Sequence, residues 1–237
     1  MTVAQPDDPS STQDLSVELA DPDCRWPDEA AELIRNAPWR RVCVLGDSVA
    51  EGVREPVPGY RDLDGIGRVV EALQAAHPDL ECLSLGERNL TIAQVRDTQL
   101  QRALAAKPDL AIVAAGANDA FTRGFDPERV EADLESLLAP LAEQGAQLVT
   151  MGLFDIGRTG LLPEPLSERL TKNFELLDQI TERVVLRYGG THTANHHHAK
   201  TASREVMCSD SVHINAHGHA ISGVNLVKAL LRLPDQG

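Results

Sequence analysis

The chain has 237 residues, of which 42% are hydrophobic and 3% aromatic, and its 22 basic and 36 acidic side chains give a formal net charge of −14. An acidic surface repels nucleic-acid backbones and anionic membranes, which argues against either as the main partner. The length suits one α/β domain of roughly 200 residues.

The N-terminal segment, residues 1–22, is rich in Asp, Ser, Thr, Gln and Pro. This composition is typical of segments that bury too little apolar surface to fold. We therefore predict an acidic, disordered leader over residues 1–22 and a single domain over residues 23–237. The sequence shows no secretion signal and no apolar run of about 18 residues, so we expect a cytoplasmic protein without membrane insertion.

Strand and helix patterns alternate after this segment. The predicted strands are Arg41–Gly46, Leu80–Leu85, Leu110–Ala115, Gln147–Met151 and Thr191–Ala194. The predicted helices are Pro27–Asn36, Asp64–Ala76, Ile92–Ala106, Pro127–Gln144, Leu166–Tyr188 and Asn215–Leu231. Short apolar strands between amphipathic helices predict a parallel sheet covered on both faces, and functional sites in such sheets form at the carboxyl ends of the strands.

Four cysteines are spread along the chain without a C-x-x-C spacing. They are Cys24, Cys43, Cys82 and Cys208. This spacing predicts buried free thiols rather than a disulfide framework.

A serine follows the first predicted strand, in the sequence GDSVAEG over residues 46–52. Gly46 and Gly52 allow a tight turn there, and a helix starting near Ser48 would aim free N–H groups at the surroundings of the seryl oxygen. Ser48 is therefore a candidate nucleophile. The alternative is an ordinary N-cap serine.

The third predicted strand ends in GAND, residues 116–119, at the same edge of the sheet. The side-chain amide of Asn118 can donate to a developing oxyanion, and one such donor contributes roughly 3–4 kcal/mol in other enzymes. The alternative is an Asx turn that closes a loop.

Near the C-terminus lies the sequence DSVH, residues 210–213. A serine nucleophile needs a base, and histidine suits this role because it titrates near neutrality. Asp210 precedes His213 by three residues and can fold back onto the ring to fix its tautomer. The alternative is a surface histidine beside the cap of the last helix.

Together and in this order, these motifs resemble those of the SGNH (GDSL-type) hydrolase superfamily, over roughly residues 41–231. The resemblance implies a flavodoxin-like three-layer α/β/α sandwich with a central parallel sheet of about five strands. It assigns the nucleophile to Ser48, the base to His213 and the orienting acid to Asp210. The oxyanion hole then contains the Ser48 N–H and the Asn118 side chain, and neither a cofactor nor a metal is implied.

One block departs from the family pattern. The family carries a glycine after the second strand whose N–H completes the oxyanion hole, and by spacing this position falls on Asn89. Asparagine tolerates a positive φ better than other non-glycine residues, so the donor can survive. The alternative donor is Gly86, three residues earlier.

Other candidates have simpler explanations. His192 and the run His196–His198 suggest a metal, but three consecutive histidines on a regular element cannot all face one ion, which favours a solvated loop. Asp155 follows the fourth strand, where we expect a structural role. Leu161 and Leu162 follow it too, and we hypothesise that they line the acyl-binding side.

The predicted function is a serine esterase that hydrolyses a carboxylic ester of a small or medium-sized substrate through a seryl acyl-enzyme. An acyltransferase with the same intermediate and a non-catalytic binding module on the same fold stay open as alternatives. The expected partner is a small-molecule ester, and no pattern in the sequence indicates an oligomeric state.

Overall fold

The structure, a computed structural model, describes residues 14–234 and contains a five-stranded parallel sheet. The strands are β1 (Arg41–Gly46), β2 (Glu81–Ser84), β3 (Leu110–Ala114), β4 (Gln147–Thr150) and β5 (Thr191–His192). Their order across the sheet is β2-β1-β3-β4-β5, with every pair parallel. All five predicted strands are confirmed.

Helices connect these strands. They are α1 (Ser16–Ala20), α2 (Ala30–Asn36), α3 (Ser48–Glu51), α4 (Gly65–Ala76), α5 (Ile92–Ala106), α6 (Ala117–Phe121), α7 (Pro127–Glu143), α8 (Leu166–Arg187) and α9 (Ala216–Leu230). The six predicted helices are confirmed as α2, α4, α5, α7, α8 and α9. Helices α1 and α6 are not predicted from the sequence, because five residues are too few to show a helical period.

Alternate residues of each central strand face opposite helical layers. Val42 and Val44 of β1 pack with α2, α4 and α9, whereas Cys43 and Leu45 pack with α5, α7 and α8. Both faces of the sheet are therefore covered, and the predicted three-layer α/β/α sandwich is confirmed. In this arrangement β1 and β3 are neighbours that end side by side, since Gly46 pairs with Ala114.

The segment predicted as a disordered leader differs from that expectation where the structure describes it. Residues 1–13 lie outside the described residues, but α1 follows at Ser16 and a 3₁₀ turn forms at Pro22–Cys24. Glu18 anchors this part of the chain through an ion pair with Arg68 of α4, 2.5 Å long, which composition alone does not reveal.

Two further observations concern the chain as a whole. None of the four cysteines forms a disulfide, and Cys43 and Cys208 are buried while Cys24 and Cys82 are half-buried. Across residues 14–234, no helix combines the length and apolar character needed to cross a membrane.

Candidate active site

The tight turn after β1 presents Ser48. Gly46 has φ 145°, and a Cβ at this position would lie 1.9 Å from the carbonyl oxygen of Ala114, so only glycine fits. The Asp47 N–H donates to that same oxygen at 3.0 Å. Asp47 also caps α3, because its Oδ1 accepts the Val49 N–H at 3.0 Å. Ser48 thus begins α3 and is 8% exposed.

The side chain of Gln99, on α5, forms two hydrogen bonds with the same turn. Its Oε1 accepts the Gly46 N–H at 2.8 Å and its Nε2 donates to the Gly46 carbonyl at 2.9 Å. The Gln99 side chain is fully enclosed, so both bonds form away from water. No motif in the sequence identifies Gln99, and its one signal is an amide on the apolar face of a helix beside Val95 and Ala103.

The carboxyl group of Asp47 is buried directly beneath the turn. Burial raises its pKa to about 6, against the opposing effect of the hydrogen bond from Val49. The Asp47 Oδ2 atom has no hydrogen-bond partner among the described residues. A buried carboxylate without full compensation is costly, which is why the protonated form persists to a higher pH than usual.

His213 bridges Ser48 and Asp210. Its Nε2 lies 2.9 Å from the Ser48 Oγ, and its Nδ1 lies 2.6 Å from the Asp210 Oδ2. The other carboxylate oxygen of Asp210 accepts the backbone N–H groups of Val212 and His213, both at 2.9 Å. Burial acts to raise the pKa of Asp210, but these hydrogen bonds outweigh it and hold the pKa below its usual value.

The loop that carries Asp210 and His213 is stabilised by its own backbone and by Glu55, a residue distant in sequence. Ser211 adopts φ 61°, and the loop is closed by the Cys208 N–H, which donates to the His213 carbonyl at 2.7 Å. Glu55 accepts hydrogen bonds from the backbone N–H and the hydroxyl of Ser209, at 2.9 and 2.5 Å. Glu55 is a second residue that the sequence analysis missed, since no local pattern connects it to Ser209.

Asn118 and Asp119, at the start of α6, hold the segment that follows β2. The Asn118 Nδ2 donates to the Leu90 carbonyl at 2.9 Å, and the Asp119 Oδ2 accepts the Ile92 N–H at 3.0 Å. One of the two Asn118 amide hydrogens is therefore engaged by Leu90, and the other makes no hydrogen bond among the described residues. The N-cap of α3 is Asp47 and not Ser48, and the Asn118 side chain bonds to Leu90 rather than to its own turn.

Asn89 and Gly86, the two candidates for the second backbone donor of the oxyanion hole, differ in their surroundings. Asn89 has φ 68°, the left-handed conformation expected of an asparagine that replaces glycine. Gly86 instead packs against the end of α3, where a Cβ would lie 2.3 Å from the Glu51 backbone nitrogen. Close packing therefore explains why residue 86 is a glycine. The Glu51 side chain also accepts the Arg88 N–H at 2.8 Å, which holds the residue before Asn89 in place.

A cavity of about 50 Å³ opens beside Ser48 and His213. Its wall is mainly apolar and comes from α6, the segment after β4, α8 and the loop around Val212. The apolar lining consists of Val49, Val53, Ala117, Phe121, Leu153, Phe154, Ile156, Phe174, Val212 and Ile214. Leu161 and Leu162 are not among the described residues that line this cavity; they pack against the core cluster instead.

Comparison with known proteins extends these observations. The model of the GDSL-like Lipase/Acylhydrolase family matches residues 44–221. The chain belongs to this family. The resemblance noted from the motifs is thereby confirmed, and the protein is a hydrolase of ester bonds. No curated protein has a sequence that matches significantly.

Solved structures share the fold of this GDSL-like hydrolase. LAE5, an alpha/beta hydrolase enzyme from the metagenome of Lake Arreo, Spain, is 18% identical, with a TM-score of 0.66 over 85% of this chain and 100% of that one. Axe2, an acetylxylan esterase from Geobacillus stearothermophilus, is 19% identical, with a TM-score of 0.62 over 81% of this chain and 94% of that one.

Most of the remaining polar candidates of the GDSL-like hydrolase lie in ion pairs. Asp155 is buried and pairs with Arg158 at 2.5 Å, a structural contact. The expected solvated histidine loop is partly wrong: His197 is exposed, but His196 is buried and approaches the Leu153 carbonyl at 3.3 Å. The loop folds inward because His192 and His197 contact opposite oxygens of the buried Asp178, at 3.0 and 3.1 Å.

Proposed function

We propose that this ester hydrolase acts through a seryl acyl-enzyme formed on Ser48. The observation that carries the proposal is the pair of hydrogen bonds made by His213, to the Ser48 Oγ at 2.9 Å and to Asp210 at 2.6 Å. A base within hydrogen-bond reach of the nucleophile, itself oriented by a third group, is the arrangement that activates a serine hydroxyl.

The first half-reaction forms the acyl-enzyme. The Ser48 Oγ attacks the ester carbonyl carbon while its proton moves to the His213 Nε2. Asp210 accepts a hydrogen bond from the other ring nitrogen and stabilises the imidazolium. When the tetrahedral intermediate collapses, the carbon–oxygen bond to the leaving group breaks, and that oxygen takes the proton from Nε2.

The second half-reaction releases the acid. Water gives a proton to the His213 Nε2 as its oxygen attacks the acyl carbon, and collapse returns the proton to the Ser48 Oγ. In both halves the negative oxygen is held by the N–H groups of Ser48 and Asn89 and by the free amide hydrogen of Asn118. Donors that are held in place before the reaction stabilise the charge without reorganising.

The substrate carries a short acyl group, such as acetyl. A cavity of about 50 Å³ is lined mainly by apolar side chains next to Ser48. One water-sized sphere needs roughly 10–15 Å³ measured in this way, so the enclosed space has room for only a few non-hydrogen atoms of the acyl group. The similarity to an acetylxylan esterase supports the same acyl class.

Labelling with a fluorophosphonate tests the nucleophile. The native chain, a Ser48→Ala variant and a Ser84→Ala variant are treated and weighed intact. Ser84→Ala is the matched control, because it removes another serine at the carboxyl end of a strand. We expect a single adduct on the native chain and on Ser84→Ala, and none on Ser48→Ala. An adduct that persists in Ser48→Ala, or its absence from the native chain, refutes the proposal.

A series of p-nitrophenyl esters tests the acyl class. We expect kcat/KM to fall by about tenfold or more from acetate to octanoate, because methylenes that do not fit the pocket stay in water or displace its wall. Equal or greater activity on octanoate contradicts the short-chain proposal and leaves the role of Ser48 intact.

A further inference from the structure

Three side chains that commonly bind metals meet at the first turn of α9, and none of them belongs to the Ser48–His213–Asp210 set. Asp21 and Cys24 come from the 3₁₀ turn near the N-terminus, and His217 comes from the start of α9. One ligand atom from each lies within 4.8 Å of the other two. These residues are almost 200 positions apart in sequence, so no short motif announces them.

Local structure explains why the first two side chains point the same way. Asp21 caps the 3₁₀ turn, because its Oδ1 accepts the Asp23 N–H at 2.9 Å. Side chains three residues apart eclipse one another in 3₁₀ geometry, which places Cys24 on the same side as Asp21. The Oδ2 of Asp21 remains directed at α9 and accepts the Tyr60 hydroxyl at 2.9 Å.

His217 is held in place by independent contacts. Its backbone N–H donates to the Asn215 side chain at 3.0 Å, and its ring stacks on Tyr60 with centroids 4.4 Å apart. The residue is 5% exposed, yet its Nε2 makes no hydrogen bond among the described residues. That atom lies 3.0 Å from the Asp21 Oδ2, an ion-pair distance when the ring is protonated.

This geometry suits two atoms that share an ion. Zinc binds nitrogen and oxygen at about 2.0–2.2 Å, so two ligands on one zinc lie roughly 3.0–3.5 Å apart. The Nε2 and Oδ2 atoms already have that separation. Sulfur binds at about 2.3 Å, and a movement of the Cys24 side chain by roughly an ångström completes the set.

We propose that Asp21, Cys24 and His217 form a zinc site that joins the N-terminal segment to α9. One carboxylate, one thiolate and one imidazole match the ligand preferences of Zn²⁺, and water takes the fourth tetrahedral position. The ion fixes residues 21–24 against the helix that follows the His213 loop. It takes no part in the ester chemistry, which belongs to a separate set of side chains.

The charges around the site accommodate a divalent cation. Arg68 faces this segment but is neutralised by Glu18 at 2.5 Å, and Lys200 contacts Glu205 at 3.3 Å. Burial, followed by the Asp21 carboxylate, raises the pKa of the Cys24 thiol to about 12. A thiol that coordinates zinc loses its proton outright, so binding releases this proton to solvent.

Cobalt is the probe for the thiolate ligand. The full-length, metal-depleted chain is titrated with Co²⁺ and then with Zn²⁺, beside Cys24→Ser and the matched control Cys82→Ser, which removes another half-buried thiol. We expect a thiolate-to-cobalt absorption band in the native chain and in Cys82→Ser, no band in Cys24→Ser, and displacement by Zn²⁺. A native chain without this band, or a Cys24→Ser variant that keeps it, overturns the proposal.

A second measurement needs no variant. The native chain is alkylated with iodoacetamide with and without Zn²⁺, and the modified peptides are identified by mass spectrometry. Zinc at saturating concentration is expected to slow alkylation of Cys24 about tenfold or more, because a thiolate bound to the ion is withheld from the alkylating agent, and to leave Cys82 unchanged. Equal rates at Cys24 with and without zinc refute the site.

Discussion

At the residue scale, the turn under Ser48 depends on Gln99, a side chain that takes no part in the chemistry. In a Gln99→Ala variant the buried N–H of Gly46 loses its acceptor and a void remains, so we expect the free energy of unfolding to fall by about 2–4 kcal/mol. Gln101→Ala, at an exposed position of the same helix, should change it by less than about 0.5 kcal/mol. Urea denaturation compares the two, and equal losses would contradict this role.

Asp47 makes stability depend on pH in an unusual direction. Its folded pKa, about 6, lies above the ordinary value of 3.8. Between these values the folded protein holds a proton that the unfolded chain has released, so the contribution of Asp47 to stability falls as pH rises and is fully lost above about pH 6.

An Asp47→Asn variant removes this titration. Relative to the native protein, its free energy of unfolding should therefore rise between about pH 4 and about pH 7, by up to about 3 kcal/mol. If the buried amide introduced at position 47 destabilises the variant, it does so by the same amount at every pH. The quantity to measure is therefore the change with pH in the difference between the two free energies of unfolding, obtained by denaturant unfolding at several pH values. Parallel curves for the two proteins would show that Asp47 stays ionised throughout.

Sequence reasoning reaches only some of these residues. Short contiguous motifs contain Ser48, Asn118, Asp210 and His213. The positive φ of Asn89 is expected because asparagine tolerates the left-handed conformation better than other non-glycine residues. Gln99 and Glu55 lie outside any motif because they act on backbone groups 53 and 154 positions away. Contacts of this kind depend on the tertiary fold, which local patterns do not contain.

At the scale of elements, α6 and α8 together close the cavity beside Ser48. Phe121 of α6 meets Phe174 of α8 edge to face, with ring centroids 5.9 Å apart. Both rings line the cavity, so the distance between these helices sets its depth. Phe121 is half-buried, and its replacement enlarges the cavity with less damage to the core than replacement of Phe174.

A Phe121→Ala variant should therefore accept longer acyl chains. We expect the ratio of kcat/KM for hexanoate to that for acetate to rise by roughly tenfold or more, since each accommodated methylene contributes about 1–3 kcal/mol. Phe125→Ala, at a half-buried position outside the cavity lining, is the matched control and should leave the ratio unchanged. If the hexanoate-to-acetate ratio is the same in all three proteins, a part of the cavity wall other than Phe121 limits the length of the acyl chain.

The element scale is also where the sequence predicts most. Apolar runs and helical periods identify five strands and six helices, because burial on both faces of a parallel sheet imposes these patterns directly. The sequence suggests Leu161 and Leu162 for the acyl-binding wall, however, whereas the cavity is lined by Leu153, Phe154 and Ile156 just before them. Periodicity places a loop at the site but does not say which of its residues turn inward.

At the scale of the whole molecule, the described part of the N-terminal segment, from residue 14 onward, depends on charge pairing across a long sequence distance. Glu18 and Arg68 have side chains 16% and 7% exposed, and Arg68 also donates to the carbonyls of Arg61 and Leu63. Composition predicts disorder for residues 1–22 because it counts apolar residues. Composition carries no information about the ion pair that Glu18 forms with the buried guanidinium of Arg68.

A Glu18→Gln variant tests whether this pair holds the segment. Removing one partner leaves the buried Arg68 charge unpaired, which should lower the free energy of unfolding by about 3 kcal/mol. The matched control is Glu71→Gln, which breaks the neighbouring pair with Arg61, where the side chains are 56% and 40% exposed, and should cost less than about 1 kcal/mol. Denaturant unfolding measures both, and hydrogen exchange should show faster exchange of the α1 amides in Glu18→Gln alone. If both variants lose equally little, α1 is held by its other contacts, such as the Glu18 N–H that donates to the Gly59 carbonyl at 3.0 Å.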